Sequence, residues 1–399
     1  MPRIDFLLSS PGHHVETFLP LVHRLREQPE MSLRVLSLCE LRGLASPTGA
    51  FEALDVDLVR LFPASLRSSP SSGNWGDPGS SRRRQIARRL LWQMLLGPAI
   101  RWNLVSRPDL VVVPNDHAYP YDRICRLLRR QQIPFLLVQE GIRFDPPEST
   151  GSTELRQGTG GSHAIAAWGR SSARYFVASG VSEDRIALTG CPRFDSIQST
   201  DWKPSSAALA TDFDLGEVNL LFLSNPIDDL GFCSSKEKLE LFQGFVERLA
   251  PLFRDPGWRL LVKLHPRESR EDFQLVCDAF PYARQILVLD REPLHPLLSL
   301  ADAAVTFGSS AGLEALLFGL PLAVLEVPGA GYLHDFVKSG AARKLPAEGK
   351  IAPVLAGMTS EPDSRSPLVE SYLDESLAFR SDAAKRVVDL VVDILNDRR

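Results

Sequence analysis

Histidine, carboxylate and hydroxyl side chains collect just after apolar runs in this 399-residue chain, where the strands of a parallel sheet would present them. The first run ends in Ser9-Ser10-Pro11-Gly12-His13-His14. A glycine-containing turn into a helix lets backbone N–H groups approach an anion. An imidazole titrates near ~6.5 when unperturbed, so His13 or His14 could act as a general base, or simply cap the turn. Two later runs end in Val113-Pro114-Asn115-Asp116 and Val138-Gln139-Glu140-Gly141. On adjacent strands Asp116 and Glu140 would stand side by side, and paired carboxylates suit proton transfer because one raises the pKa of the other. Either residue could equally be a turn residue or a helix cap.

The second half carries a different chemistry. Lys263-Leu264-His265-Pro266 closes an apolar strand, and Pro266 forces the backbone out of the ladder so that His265 is presented at the sheet edge. Histidine and flanking cations there could bind a diphosphate. Thr306-Phe307-Gly308-Ser309-Ser310-Ala311-Gly312-Leu313-Glu314 then runs from strand through a small-residue loop into a helix. Gly308 and Gly312 permit close approach, the Ser309 and Ser310 hydroxyls can bond phosphate oxygens, and the new helix offers a positive dipole end. Glu314 fits a ribose ligand or a helix-start stabiliser. Arg193, in Thr189-Gly190-Cys191-Pro192-Arg193-Phe194-Asp195, could reach a phosphate or serve as an ion-pair partner.

These residues need strands to hold them. Short apolar runs alternate with longer amphipathic stretches, the signature of βα units around parallel sheets. The runs are Ile4–Leu8, Leu33–Leu38, Leu110–Val113, Phe135–Val138, Ala164–Ala167 and Ile186–Leu188, then Val218–Leu223, Arg259–Leu264, Ile286–Leu289, Ala303–Thr306 and Leu322–Leu325. Helical patterns include Leu19–Glu27, Tyr121–Arg130 and Lys236–Phe253. The expectation is an α/β protein of two Rossmann-like domains facing a central cleft: 1–195 for the acceptor, 196–381 for the nucleotide donor, and a terminal helix over 382–399 packed on the body.

Composition agrees with a globular enzyme. Apolar residues at 44% and charged residues at 24% exclude wholesale disorder. No apolar run is long enough to cross a bilayer, and the N-terminus shows no signal region, so a cytoplasmic protein is expected. A net charge of -4 argues against a nucleic-acid binder. Five scattered cysteines without a CxxC pair read as reduced thiols. Two stretches break the βα rhythm. Pro63–Ser81 is rich in Ser, Gly and Pro and reads as a mobile surface loop. Ser81–Pro108 holds seven arginines and no acidic residue among its leucines and tryptophans. It fits a domain helix with a solvated arginine face, or a basic amphipathic helix (82–104) lying peripherally on the inner face of the cell membrane or meeting an anionic acceptor.

The order of these motifs resembles GT-B fold glycosyltransferases, above all bacterial sialyl-, Kdo- and CDP-glycerol transferases of surface-polysaccharide synthesis. That resemblance implies transfer of a sugar or polyol phosphate from a CMP-, UDP- or CDP-linked donor to a glycan or lipid-linked acceptor. His265-Pro266 and Ser309-Ser310 match the His-Pro and Ser-Ser motifs, which would hold the nucleotide phosphate. The acidic-acidic-Gly motif, which supplies the family's base, is matched only in Glu140-Gly141, with Gln139 in its leading position. No cofactor is implied. Asp228-Asp229 offers no third ligand, so metal-independent chemistry is expected. The chain is also similar to non-hydrolysing UDP-N-acetylglucosamine 2-epimerases, through Asp116, Glu140 and Arg143. Their histidine after the second domain's first strand is absent from Ser224-Asn225-Pro226, and their Asp-Ser-Gly-Gly loop is replaced by Phe307-Gly308-Ser309-Ser310. A non-catalytic sugar-nucleotide binder is the third alternative.

Overall fold

The computed structural model describes residues 1–28, 30–63, 82–143, 157–360 and 366–397; Pro63–Ser81, expected as a surface loop, falls almost wholly outside them. The chain divides into two compact units, Met1–Ser196 with Asp374–Arg399, and Ile197–Leu373. Each is built on a parallel sheet with helices, the two-unit Rossmann-like α/β architecture that the βα rhythm implies.

In the first unit the strands are β1 (Arg3–Leu8), β2 (Ser32–Ser37), β3 (Asp57–Arg60), β4 (Leu110–Val113), β5 (Phe135–Val138), β6 (Ala164–Ala167) and β7 (Ile186–Leu188), in the order β3-β2-β1-β4-β5-β6-β7. All pairs are parallel. Burial on both faces explains why the central strands read as continuous apolar runs. Phe6 and Leu8 face one core with Phe18, Leu21 and Val387, whereas Leu7 faces another with Leu96, Ile100 and Phe176. The terminal helix Ala383–Asn396 belongs to the first of these cores, and Asp195 caps it by accepting from the N–H groups of Ala383 and Ala384 at 2.9 and 2.8 Å. The Thr-Gly-x-Pro-Arg-x-Asp segment is thus the seat of the chain's returning C-terminus.

The second unit carries β8 (Val218–Leu223), β9 (Trp258–Lys263), β10 (Ile286–Leu289), β11 (Ala303–Thr306), β12 (Leu322–Leu325) and β13 (Arg343–Leu345), ordered β10-β9-β8-β11-β12-β13 and again all parallel. Its core centres on Phe222, whose ring lies 5.0–5.2 Å from those of Phe242, Phe245 and Phe307. In each sheet the strand order reverses once, between β1 and β4 and between β8 and β11. Open α/β sheets bind ligands at such a reversal, beyond the carboxyl ends of the strands. Among the described residues no helix is long and apolar enough to cross a membrane.

Candidate functional site

The reversal in the first sheet gathers the histidines and one carboxylate. His13 and His14 open the helix His13–Arg26 after β1, Asn115 follows β4, and Glu140 follows β5. His14 Nε2 lies 2.5 Å and His13 Nε2 3.3 Å from the same Glu140 oxygen, Oε2, while Asn115 Nδ2 donates to Oε1 at 2.8 Å. Asn115, and not Asp116, is therefore the neighbour of Glu140.

The backbone N–H of Ser9 donates to His14 Nδ1 at 3.0 Å. A neutral imidazole that accepts at one nitrogen carries its proton on the other, so His14 Nε2–H donates to Glu140. His14 is 2% exposed. Burial outweighs the attraction of Glu140 and lowers its pKa to about 4. Burial works to raise the Glu140 pKa, but His14 and His13 outweigh it and hold the carboxyl well below its usual value. The resting site is a neutral His14 beside a carboxylate. His13 is the open member, with its side chain 46% exposed and Nδ1 3.4 Å from Ser10 Oγ.

His13, His14 and Glu140 are also the set of donors close enough together for a cation among the described residues. With the Ser9 N–H on Nδ1, the His14 Nε2 that faces the other two carries a proton. Asp228 and Asp229 are each matched by a cation, Lys238 at 2.8 Å and Arg267 at 3.1 Å.

Asp116 faces the loop after residue 156. It is buried, which raises its pKa, and its two oxygens accept from the N–H groups of Gly158 and Gly160 at 2.9 and 2.7 Å. Gln139 is fully buried; its amide donates to Gly141 O and Ser172 Oγ and accepts from Trp168 N. A carboxylate could not donate those two bonds, which accounts for glutamine in the leading position of the acidic motif. Arg193 belongs to this unit, its guanidinium 4.8 Å from the Phe194 ring centre and 3.9 Å from Glu16.

At the reversal in the second sheet, the loops after β9 and β11 flank the end of β8. His265 Nδ1 accepts from Arg267 N at 3.2 Å, and His265 N donates to Glu268 Oε2 at 2.9 Å. The other Glu268 oxygen meets Ser224 Oγ and the buried Lys238 at 3.0 and 3.2 Å. Lys263 Nζ is committed to the carbonyls of Leu264 and Asp290, tying β9 to β10. Pro266 is exposed beside them.

In the small-residue loop, Gly308 has φ +142° and a Cβ there would fall 2.5 Å from that of Leu333. Gly312 is buried against Leu322 and Phe336. The N–H groups of Gly308 and Ser309 donate to Thr306 Oγ1, and Ser309 Oγ accepts from Ala311 N. The loop consumes these amide donors itself. Glu314 meets His295 Nε2 at 2.9 Å, and the His295 ring lies 4.9 Å from that of Trp202.

Sequence reasoning passed over Asn115, His295 and Asn225. Asn225, in the Ser224-Asn225-Pro226 segment after β8, is 5% exposed and its Oδ1 has no partner among the described residues. A buried acceptor left unmade is costly, and here it stands between the His265 and Ser309 loops in strand order.

No family model and no curated protein matches the chain. Solved structures do. The UDP co-structure of Staphylococcus aureus MnaA has 14% identity over 99% of this chain and 97% of its own, with a TM-score of 0.67. The Neisseria meningitidis UDP-GlcNAc 2-epimerase bound to UDP-GlcNAc has 13% identity over 98% and 100%, TM-score 0.65. The glycotransferase of kitacinnamycin has 18% identity over 99% and 100%, TM-score 0.62. The likeness is one of fold. It agrees with the epimerase side of the resemblance; the sialyl-, Kdo- and CDP-glycerol side rests on the sequence motifs alone.

Proposed function

We propose that the protein is an enzyme acting on a sugar nucleotide, a glycosyltransferase that moves a sugar or polyol phosphate to a glycan or lipid-linked hydroxyl in surface-polysaccharide synthesis. The observation that carries this reading is the convergence of His13, His14 and Glu140 at the strand reversal of the first unit. Glu140, held well below its usual pKa by His14 and His13, is a poor proton acceptor. It is well suited to orient His13 and to stabilise the imidazolium that forms, the division of labour of a histidine–carboxylate pair. His13 would take the proton of the acceptor hydroxyl as the new glycosidic bond forms and the bond to the nucleotide phosphate breaks. Asp116 is assigned to positioning, through its hold on Gly158 and Gly160.

The second unit would hold the donor. The His265 imidazole and the hydroxyls of Ser309 and Ser310 would meet the phosphates. Glu314 with His295 would serve the ribose, and Asn225 Oδ1 would accept from a donor hydroxyl or base N–H. Arg193 and Lys263 receive no ligand role in this scheme. The fold likeness to epimerases, over almost the whole chain, favours a second reading as a 2-epimerase; the absence of a histidine from Ser224-Asn225-Pro226 disfavours it.

Thermal-shift screening against CMP-, UDP-, GDP- and CDP-linked sugars, followed by turnover, separates the readings. A transferase releases nucleotide only when an acceptor is present. An epimerase interconverts two sugars without acceptor, and a binder does neither.

A further inference from the structure

The arginine-rich segment forms one continuous helical run, Arg82–Leu91, Trp92–Leu96 and Gly97–Leu104, whose middle portion is a π turn. Its last part is amphipathic in the ordinary sense: Leu96, Ile100 and Leu104 are buried in the core of the first unit. The other side is apolar as well, and it is bare. Ile86 and Leu90 are more than half exposed, Met94 is 73%, Trp102 81% and Val105 75% exposed.

The π turn makes these five residues a single stripe. A π turn accommodates one extra residue, which sets the following helix back by one position. Without it, Val105 would rotate away from Ile86 by about one residue's worth of turn, and Leu104 would come round to the solvent side. With it, Ile86, Leu90, Met94, Trp102 and Val105 share one face and Leu96, Ile100 and Leu104 the opposite one. Gly97 permits the turn, since a Cβ there would sit 2.6 Å from the Trp92 carbonyl oxygen. Arg89 and Arg101, both exposed, follow the stripe along one edge, and residues 81–108 contain no acidic side chain.

We propose that this face docks on an anionic lipid bilayer, the stripe entering the headgroup boundary and the arginines meeting lipid phosphates. A solvent-facing apolar row that includes a tryptophan is costly in water and suited to a membrane interface. Arg89 and Arg101 along its edge, in a segment without acidic residues, select an anionic surface over a neutral one. The inference goes beyond the proposed reaction and stands whichever sugar-nucleotide chemistry the site performs.

The test is co-sedimentation of the full chain with phosphatidylglycerol-containing and with pure phosphatidylcholine vesicles at low and high salt. Binding is expected only to the anionic vesicles, weakened by salt. Met94→Glu with Leu90→Glu, and separately Arg89→Glu with Arg101→Glu, should each lower vesicle affinity by at least ~10-fold. All four positions are exposed, so an unchanged melting temperature checks the fold. Vesicles should also blue-shift the tryptophan emission, and Trp102→Phe should abolish that shift. Absence of binding at low salt, affinity unchanged in both double variants, or a concentration-dependent dimer abolished by the same substitutions would overturn the proposal; the last result would make a second copy the partner.

Discussion

The two strand reversals share an architecture and differ in what they leave unmade. Beyond β1 and β4, titratable groups converge: two histidines and an amide meet one carboxylate, and His13, whose other nitrogen lies 3.4 Å from Ser10 Oγ, is the more exposed ring. Beyond β8 and β11, the loops are closed on themselves. Lys263 holds two carbonyls, Glu268 braces the His265 loop, and Thr306 absorbs the amides of Gly308 and Ser309. One edge gathers two imidazoles and a carboxylate, the other closes its loops beside an Asn225 oxygen that has no partner among the described residues. On the proposed reading, the first unit would handle the proton and the second the recognition.

The largest effect that would break this comparison is kinetic. His13→Ala and Glu140→Gln should each lower turnover by ~100-fold or more, a typical general-base contribution, with nucleotide affinity in calorimetry unchanged. His265→Ala should do the reverse, weakening nucleotide binding. If His13→Ala weakened nucleotide binding and spared turnover, the two edges would have exchanged roles.

Acid titration of stability is next. Unfolded His14 protonates near its ordinary value of 6.5, the folded ring only near about 4. Between those values the unfolded chain binds more protons, so stability is present at neutral pH and is lost as pH falls. The depressed Glu140 pKa acts in the same direction at still lower pH. From about pH 7 to about pH 5 the His14 contribution should fall by about 2 kcal/mol. Urea denaturation at both values measures it, and His14→Gln should flatten the dependence. A slope unchanged in that variant would mean the buried ring is not the source.

Much of the fold is legible in the sequence because buried parallel strands are continuous apolar runs. β3 and β13 escape that signal: as edge strands they read Asp-Leu-Val-Arg and Arg-Lys-Leu, with half or more of their residues exposed. The site is only half legible. His13, His14 and Glu140 stand out by type, but the bond between positions 14 and 140 spans 126 residues, and no local spacing encodes it. Asp116 looks catalytic beside them, yet it holds a loop whose glycines carry no sequence mark of that contact. His295 is a lone histidine in the short helix Leu294–Leu300, and nothing near it announces Glu314.

The rigidity of the second edge can be sharpened at Gly308. An alanine there must adopt a positive φ and meet Leu333, so Gly308→Ala should cost about 1–3 kcal/mol in chemical denaturation and weaken nucleotide binding with it. A stable variant with full affinity would show that the loop yields readily.

The smallest effect concerns Lys263, a residue whose type suggests a phosphate ligand and whose contacts make it a clasp. Burial lowers its pKa, and its ammonium donates to carbonyls on two strand ends. Lys263→Met keeps the stem and removes the donors, leaving two carbonyls short of a partner at about 1 kcal/mol of stability. Nucleotide affinity should stay within about twofold, whereas a true phosphate contact would cost tenfold or more. Loss of affinity at unchanged stability would return Lys263 to the donor site and make the second edge electrostatic, not merely rigid.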